Sequence, residues 1–191
     1  MMIDVTWKTL LFVKKVSIYF EFFLFGYLKI FSEPMRRDFG KIQFQPVRNK
    51  LEKIFPIFGP EFRIEMRITL LGLSQDFKTV FELFSGETFS LLSLYSNGMF
   101  DIFHAINPDL QYSSGGALLK DTPYQIIIEQ SMKSGKMIYE IKINKELVYS
   151  IENTNPQTYI NAELYLSNDD VVANVFFDYI FIYCGQGNLS N

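Results

Sequence analysis

The chain has one cysteine, one histidine and one tryptophan in 191 residues, and each scarcity closes a class of function. A lone Cys184 forbids an intrachain disulfide and any multi-cysteine zinc site. A lone His104 forbids the two-histidine metal motifs and leaves a single imidazole for acid–base chemistry. No Arg follows Arg67, and charged residues make up 20% of the chain. Glycine (11) and proline (7) are too sparse for a collagen-like or low-complexity chain. Aromatics are plentiful at 17%, which excludes intrinsic disorder, because burying them repays the entropy of ordering. The length suits one well-buried domain.

Charge is unevenly distributed. Residues 1–67 carry twelve Lys/Arg against seven Asp/Glu, a net +5, and residues 68–191 carry six against fourteen, a net −8. A nucleic-acid reader needs a basic face, so an acidic body argues against nucleic acid as a partner.

Residues 1–31 hold nine of the 32 aromatics, in runs such as Ile18-Tyr19-Phe20-Glu21-Phe22-Phe23-Leu24-Phe25. A membrane-spanning helix needs ~20 predominantly apolar residues, and Lys14, Lys15, Glu21 and Lys29 interrupt this stretch. The run Val16–Leu28 behind Lys14-Lys15 has the length of a signal core, yet no small-x-small cleavage site follows it. A degenerate signal or signal-anchor, an unstructured extension, and an extra strand or helix all stay open. The stretch Ser32–Gly40 reads as a linker, with Pro34 and Gly40 bracketing charges. This divides the chain into a hydrophobic segment with linker over 1–40, and a domain over 41–187.

In the body the hydrophobic period is two. Glu61–Leu70 alternates without error, with Phe62, Ile64, Met66, Ile68 and Leu70 on one side and Glu61, Arg63, Glu65, Arg67 and Thr69 on the other. A strand with one buried face has this pattern. Further strands are expected at Lys78–Phe84, Phe89–Ser96, Met99–Ile106, Tyr124–Gln130, Lys136–Asn144, Leu147–Glu152, Ile160–Ser167 and Asn174–Tyr183. Turn residues separate them: Ser85-Gly86, Asn97-Gly98, Ser134-Gly135, Asn144-Lys145 and Asn168-Asp169-Asp170. Asn97-Gly98 is expected to form a type I′ hairpin turn. The last strand is apolar on both faces apart from Asp178, which predicts a central or covered strand. Many short strands and no amphipathic helix predict an all-β, antiparallel β-sandwich.

Two stretches resemble the concanavalin A-like jelly-roll superfamily, specifically laminin G-like domains. Leu51–Ile64 is similar to that family's opening strand, proline-containing turn and second strand. The second stretch starts with Tyr124–Gln130, a strand ending in Gln, and Ile138–Asn144, a Tyr-x-Ile-x-Ile-Asn hairpin. It continues with the Asn-x-x-Pro turn Asn153–Pro156, then Ala162–Asp169 and Ile180–Ile182. The resemblance covers about residues 47–183. It implies an extracellular recognition or adhesion module whose partner is a glycan or an extracellular protein such as a glycoprotein; together with the catalytic spacings missing from the sequence, it points to a non-enzymatic module. It also implies that some members hold calcium at the loop rim. The alternatives are a structural domain of a larger assembly, with membrane association through 1–31, and a divergent jelly-roll glycosidase or galectin-like lectin.

Asp169 and Asp170 are the candidate metal residues, since adjacent carboxylates offer oxygens to a hard cation. Calcium wants roughly six to eight oxygens, and no dense Asp-x-Asp run supplies the rest, so a solvated acidic turn competes with that role. His104 shares its parity with Phe100 and Ile102, which places it in the core or at its rim; no Gly-x-Ser-x-Gly elbow accompanies it. No catalytic residue is assigned. The Glu-x-Asp-x-x-Glu spacing of jelly-roll glucanases is absent, and Glu61/Glu65 and Glu140/Lys142 read as solubility charges. Galectins need a His-x-Asn-x-Arg run and a stacking Trp. Here His104-Ala105-Ile106-Asn107-Pro108 lacks the Arg, and the one Trp is Trp7. Tyr95, Tyr112 and Tyr159 are candidate aromatic platforms, with ordinary packing as the alternative. Asn188-Leu189-Ser190 is a glycosylation sequon.

Overall fold

Phe62, Ile64, Met66, Ile68 and Leu70 are all buried in the computed structural model, while Arg63, Glu65 and Arg67 face outward, as the alternation requires. The structure describes residues 35–38, 50–72, 78–105, 110–167 and 174–185. The segment 1–31, Asp169, Asp170 and the sequon at Asn188 lie outside them.

Twelve strands run in chain order: β1 Met35–Asp38, β2 Leu51–Phe58, β3 Phe62–Leu70, β4 Lys78–Phe84, β5 Thr88–Leu94 and β6 Phe100–His104 come first. Then follow β7 Leu110–Ser113, β8 Pro123–Lys133, β9 Lys136–Ile143, β10 Glu146–Glu152, β11 Tyr159–Tyr165 and β12 Val175–Cys184. They form two six-stranded sheets with antiparallel neighbours throughout. The first has the order β1-β12-β3-β8-β9-β10, and the second β2-β11-β4-β5-β6-β7. Strands from both ends of the chain are thus neighbours in each sheet, β12 beside β3 and β11 beside β2. That is the wrapping of a jelly roll.

The core lies between the sheets. Cross-strand rows such as Ile64–Ile128–Ile141 in the first sheet face Phe81, Leu92 and Ile102 of the second within one buried cluster. Burying each such side chain contributes about 1.5–3 kcal/mol. Aromatic contacts cross the gap: Phe62 stacks on His104 at 5.0 Å between centroids, and Tyr112 meets Tyr149 at 5.8 Å.

Three expectations are corrected. The stretch expected as a linker contains β1, whose backbone pairs with β12 from Met35↔Ile182 to Asp38↔Tyr179, so the sheet takes in residues ahead of Lys41. β12 is central, as its two apolar faces suggested, but its alternation is not continuous. The register passes from Phe177↔Ile68 to Tyr179↔Arg67, leaving Asp178 as an extra residue. This bulge inverts the parity: Val175 and Phe177 are buried before it, and Ile180, Ile182 and Cys184 after it. The third correction is the turn at Asn97-Gly98. Gly98 donates its N–H to Tyr95 O (3.0 Å) and alone adopts positive φ, at 82°. A four-residue turn with a left-handed glycine therefore replaces the type I′ geometry. Type I′ turns, with positive φ at both central positions, occur instead at Ser134-Gly135 and Asn144-Lys145.

Candidate functional site

The outward faces of the two sheets carry different chemistry. On the first sheet, Arg63 of β3 donates to Glu65 through Nε (3.3 Å) and Nη2 (2.8 Å), and through Nη1 to Glu129 on β8. Lys142 of β9 reaches Glu129 and Glu140, and Lys133 reaches Glu140. Arg67 pairs with Asp178 at the bulge (3.0 Å). Glu65 also accepts from the Tyr179 hydroxyl (2.9 Å) and Gln125 Nε2 (2.6 Å). Partial burial alone would raise the Glu65 pKa; the bonds from Arg63, Tyr179 and Gln125 outweigh it and hold the carboxyl below its ordinary range. Four cations thus meet four carboxylates in a neutral lattice. Glu65, Glu140 and Lys142, read from the sequence as surface charges, belong to it.

On the second sheet the alternation Phe100-Asp101-Ile102-Phe103-His104 turns Phe100, Ile102 and His104 inward and Asp101 and Phe103 outward. Asp101 lies in register between Ser93 on β5 and Ser113 on β7. Its Oδ2 accepts from the Tyr95 hydroxyl (2.5 Å) and from Gln111 Nε2 (2.6 Å). Donation to a carboxylate, with some burial, raises the Tyr95 pKa and keeps its proton in place. Tyr95 is 37% exposed, and Gln111 and Ser113 are exposed as well, so the group borders solvent. The Ser93 hydroxyl, 1% exposed, has no hydrogen-bond partner. Further across the same face, Glu163 accepts from the Tyr165 hydroxyl (2.6 Å), and Glu82, opposite Tyr165 in register, accepts from Thr88. Leu91 and Phe103, half-buried and paired in register, lie on this face between the two groups.

The residues singled out from the sequence distribute as follows. His104 is a core residue, 2% exposed, packed on Phe62, Phe89 and Tyr139, with Nδ1 unpartnered. Burial pushes its pKa down to about 3, so it is neutral at physiological pH. Cys184 is buried, and its thiol lies 3.7 Å from Ile57 O. Tyr159 stacks on Phe89 at 3.8 Å, and Tyr112 packs between Phe100 and Tyr149, so both serve the sandwich. Of the three tyrosines, Tyr95 alone joins the outward polar group. Among the described residues no cluster of three or more His, Cys, Asp or Glu could hold a metal. Asp101, Gln111 and Ser93 were not among the residues the sequence singled out. The parity that turns His104 inward also turns Asp101 outward, and that was the available signal.

No family model matches the sequence, and no curated protein matches it. Solved structures do. The receptor-binding domain of botulinum neurotoxin type G aligns over 84% of this chain and 43% of its own, at 13% identity and a TM-score of 0.53. Trypanosoma rangeli sialidase in complex with sialic acid aligns over 74% of this chain and 25% of its own, at 11% identity and a TM-score of 0.52. A galectin of Caenorhabditis elegans aligns over 78% of this chain and 95% of its own, at 9% identity and a TM-score of 0.48. This chain therefore spans less than half the length of the neurotoxin domain and about a quarter of the sialidase. At these identities the likeness speaks for architecture. The two six-stranded sheets form a sandwich of the concanavalin A-like lectin fold.

Proposed function

We propose that this domain is a non-enzymatic binding module that recognises a glycan, free or displayed on a glycoprotein outside the cell, on the outer face of the second sheet around Asp101. The observation that carries the reading is the Asp101 carboxylate clamped by Tyr95 and Gln111 at the edge of solvent. Sugars present hydroxyls beside patches of C–H surface. They are recognised by a few fixed polar groups next to an aromatic side chain with one wet edge. Here the polar groups are already held by one another, Asp101 and Gln111 on β6 and β7 and Tyr95 just after β5, so little ordering cost attends binding. Two observations support binding over hydrolysis: the single histidine is sealed in the core, and the paired-carboxylate spacing of jelly-roll glucanases is missing from the sequence.

The test is a glycan array probed with the full chain and with Asp101→Ala. The expected result is a restricted set of glycans bound by the wild type and lost, by tenfold or more, in the variant. An array without a single hit, from protein that melts cooperatively, would end the glycan reading.

A further inference from the structure

Carboxylates on the two outer faces are partnered in opposite ways. On the first sheet Glu65, Glu129, Glu140 and Asp178 each meet an Arg or a Lys. On the second, Asp101 takes its bonds from a phenol and a carboxamide, and Glu163 from a phenol. A neutral donor orients an anion without cancelling its charge. Tyr165 registers this, since the hydrogen bond it donates to Glu163, some burial, and the negative charges of Glu163 and Glu82 all raise its pKa. The second sheet therefore presents a fixed negative field from side chains that are already oriented, and the first sheet does not.

A second observation lies at the same spot. The Ser93 hydroxyl is buried, unpartnered and next to Asp101 in register on the same face of β5 and β6. Buried hydroxyls are normally satisfied, and one left open beside an oriented carboxylate is a place for a ligand's polar atom.

We infer that this face takes a cationic glycan, an amino sugar whose ammonium sits against Asp101; the inference rests on the glycan-binding reading above. The ammonium supplies the charge that Tyr95 and Gln111 do not. The sugar's hydroxyls meet the Ser93 and Ser113 hydroxyls, and its C–H face meets Tyr95. Anionic glycans, sialylated or sulfated, are disfavoured by the same field. A charge pair of this kind near a protein surface, partly screened, is worth roughly tenfold in affinity.

Calorimetry with the full chain tests this using four probes: a glucosamine hexamer, its N-acetylated counterpart, a sulfated hexasaccharide and hexalysine. The expected result is that the glucosamine hexamer binds about ten times more tightly than the N-acetylated one. That advantage should shrink with added salt and vanish in Asp101→Asn, while Glu163→Gln reduces it in part. Equal affinity for the two hexamers, preference for the sulfated sugar, or hexalysine binding as well as glucosamine would each overturn the inference. An N-acetylated hexamer that binds alone and is lost in Asp101→Ala would overturn the charge preference yet leave the glycan reading standing. Failure of all four probes alongside a positive array would separate the two in the same way.

Discussion

Asn153 Nδ2 donates a 2.8 Å hydrogen bond to Oε1 of Gln130, with both side chains buried. Gln130, on β8, also donates from Nε2 to Pro60 O (2.5 Å), in the turn between β2 and β3. Asn153, just after β10, accepts from Asn155 N at Oδ1 (3.0 Å) and donates its backbone N–H to Met137 O (2.8 Å). One amide pair thus ties three chain segments together. Its members are Gln130, expected to end its strand although β8 runs on to Lys133, and the first residue of the Asn-x-x-Pro turn, two of the motifs that carry the sequence resemblance.

Breaking that tie leaves buried amide groups unpaired. Asn153→Ala is expected to lower the unfolding free energy by about 2 kcal/mol, since an orphaned buried polar group costs ~1–3 kcal/mol. Urea denaturation of the full chain measures it. A loss below about 0.5 kcal/mol would mean the amide pair is dispensable.

His104 makes stability depend on mild acid. Its folded-state pKa is about 3 against an ordinary 6.5, so in the intervening range the unfolded chain binds the proton and the folded one does not. The sign follows: the stabilisation is full above pH 6.5 and is lost as pH falls toward 3. The expected loss between pH 7 and pH 5 is about 2 kcal/mol, at roughly 1.4 kcal/mol per unit. Carboxylates with depressed pKa values, such as Glu65 and Glu140, add their losses below about pH 4.5, so the upper window isolates the histidine. Melting curves across pH 7 to 5 should flatten in His104→Phe. A wild-type profile already flat there would contradict the burial argument.

Tyr139 faces His104 at 5.1 Å between ring centroids, and its buried hydroxyl has no partner. Burial raises its pKa well above that of an ordinary phenol. Removing an unpaired hydroxyl removes a desolvation cost while keeping the ring's packing. Tyr139→Phe is therefore expected to stabilise the chain by about 1 kcal/mol. A destabilised variant would mean that the hydroxyl is hydrogen bonded in solution.

The strands were legible wherever one face is buried and the other polar. Phe62–Leu70 and Lys136–Ile143 follow this rule, and their outward charges fell where the alternation put them. β1 was missed because Met35-Arg36-Arg37-Asp38 has no apolar alternation; an edge strand is held by backbone bonds, and those leave no side-chain signature. β7, Leu110–Ser113, is too short to show a period. The site was half legible. Parity alone placed Asp101 outward, but bringing Ser93 and Gln111 beside it requires the register of three strands, which no single strand encodes.

Asp178 illustrates the limit most sharply, and it yields a test of the fold. With apolar residues on both sides of β12, no pattern reveals which residue is extra, and an unbroken alternation would put Tyr179 and Phe181 with Val175. The ion pair with Arg67 is solvent-exposed, at 48% and 32% for the two side chains, so Asp178→Ala should cost less than about 1 kcal/mol. Deleting Asp178 tests the register. Because Asp178 is the extra residue, removing it would leave the strand regular, with Ile180, Ile182 and Cys184 still inward and Tyr179, Phe181 and Tyr183 still outward on the ladder to β3. The deletion variant is therefore expected to keep cooperative thermal unfolding, as Asp178→Ala does. A deletion variant that no longer unfolds cooperatively would show that Asp178 holds a regular place in the ladder and would refute the assignment of the bulge.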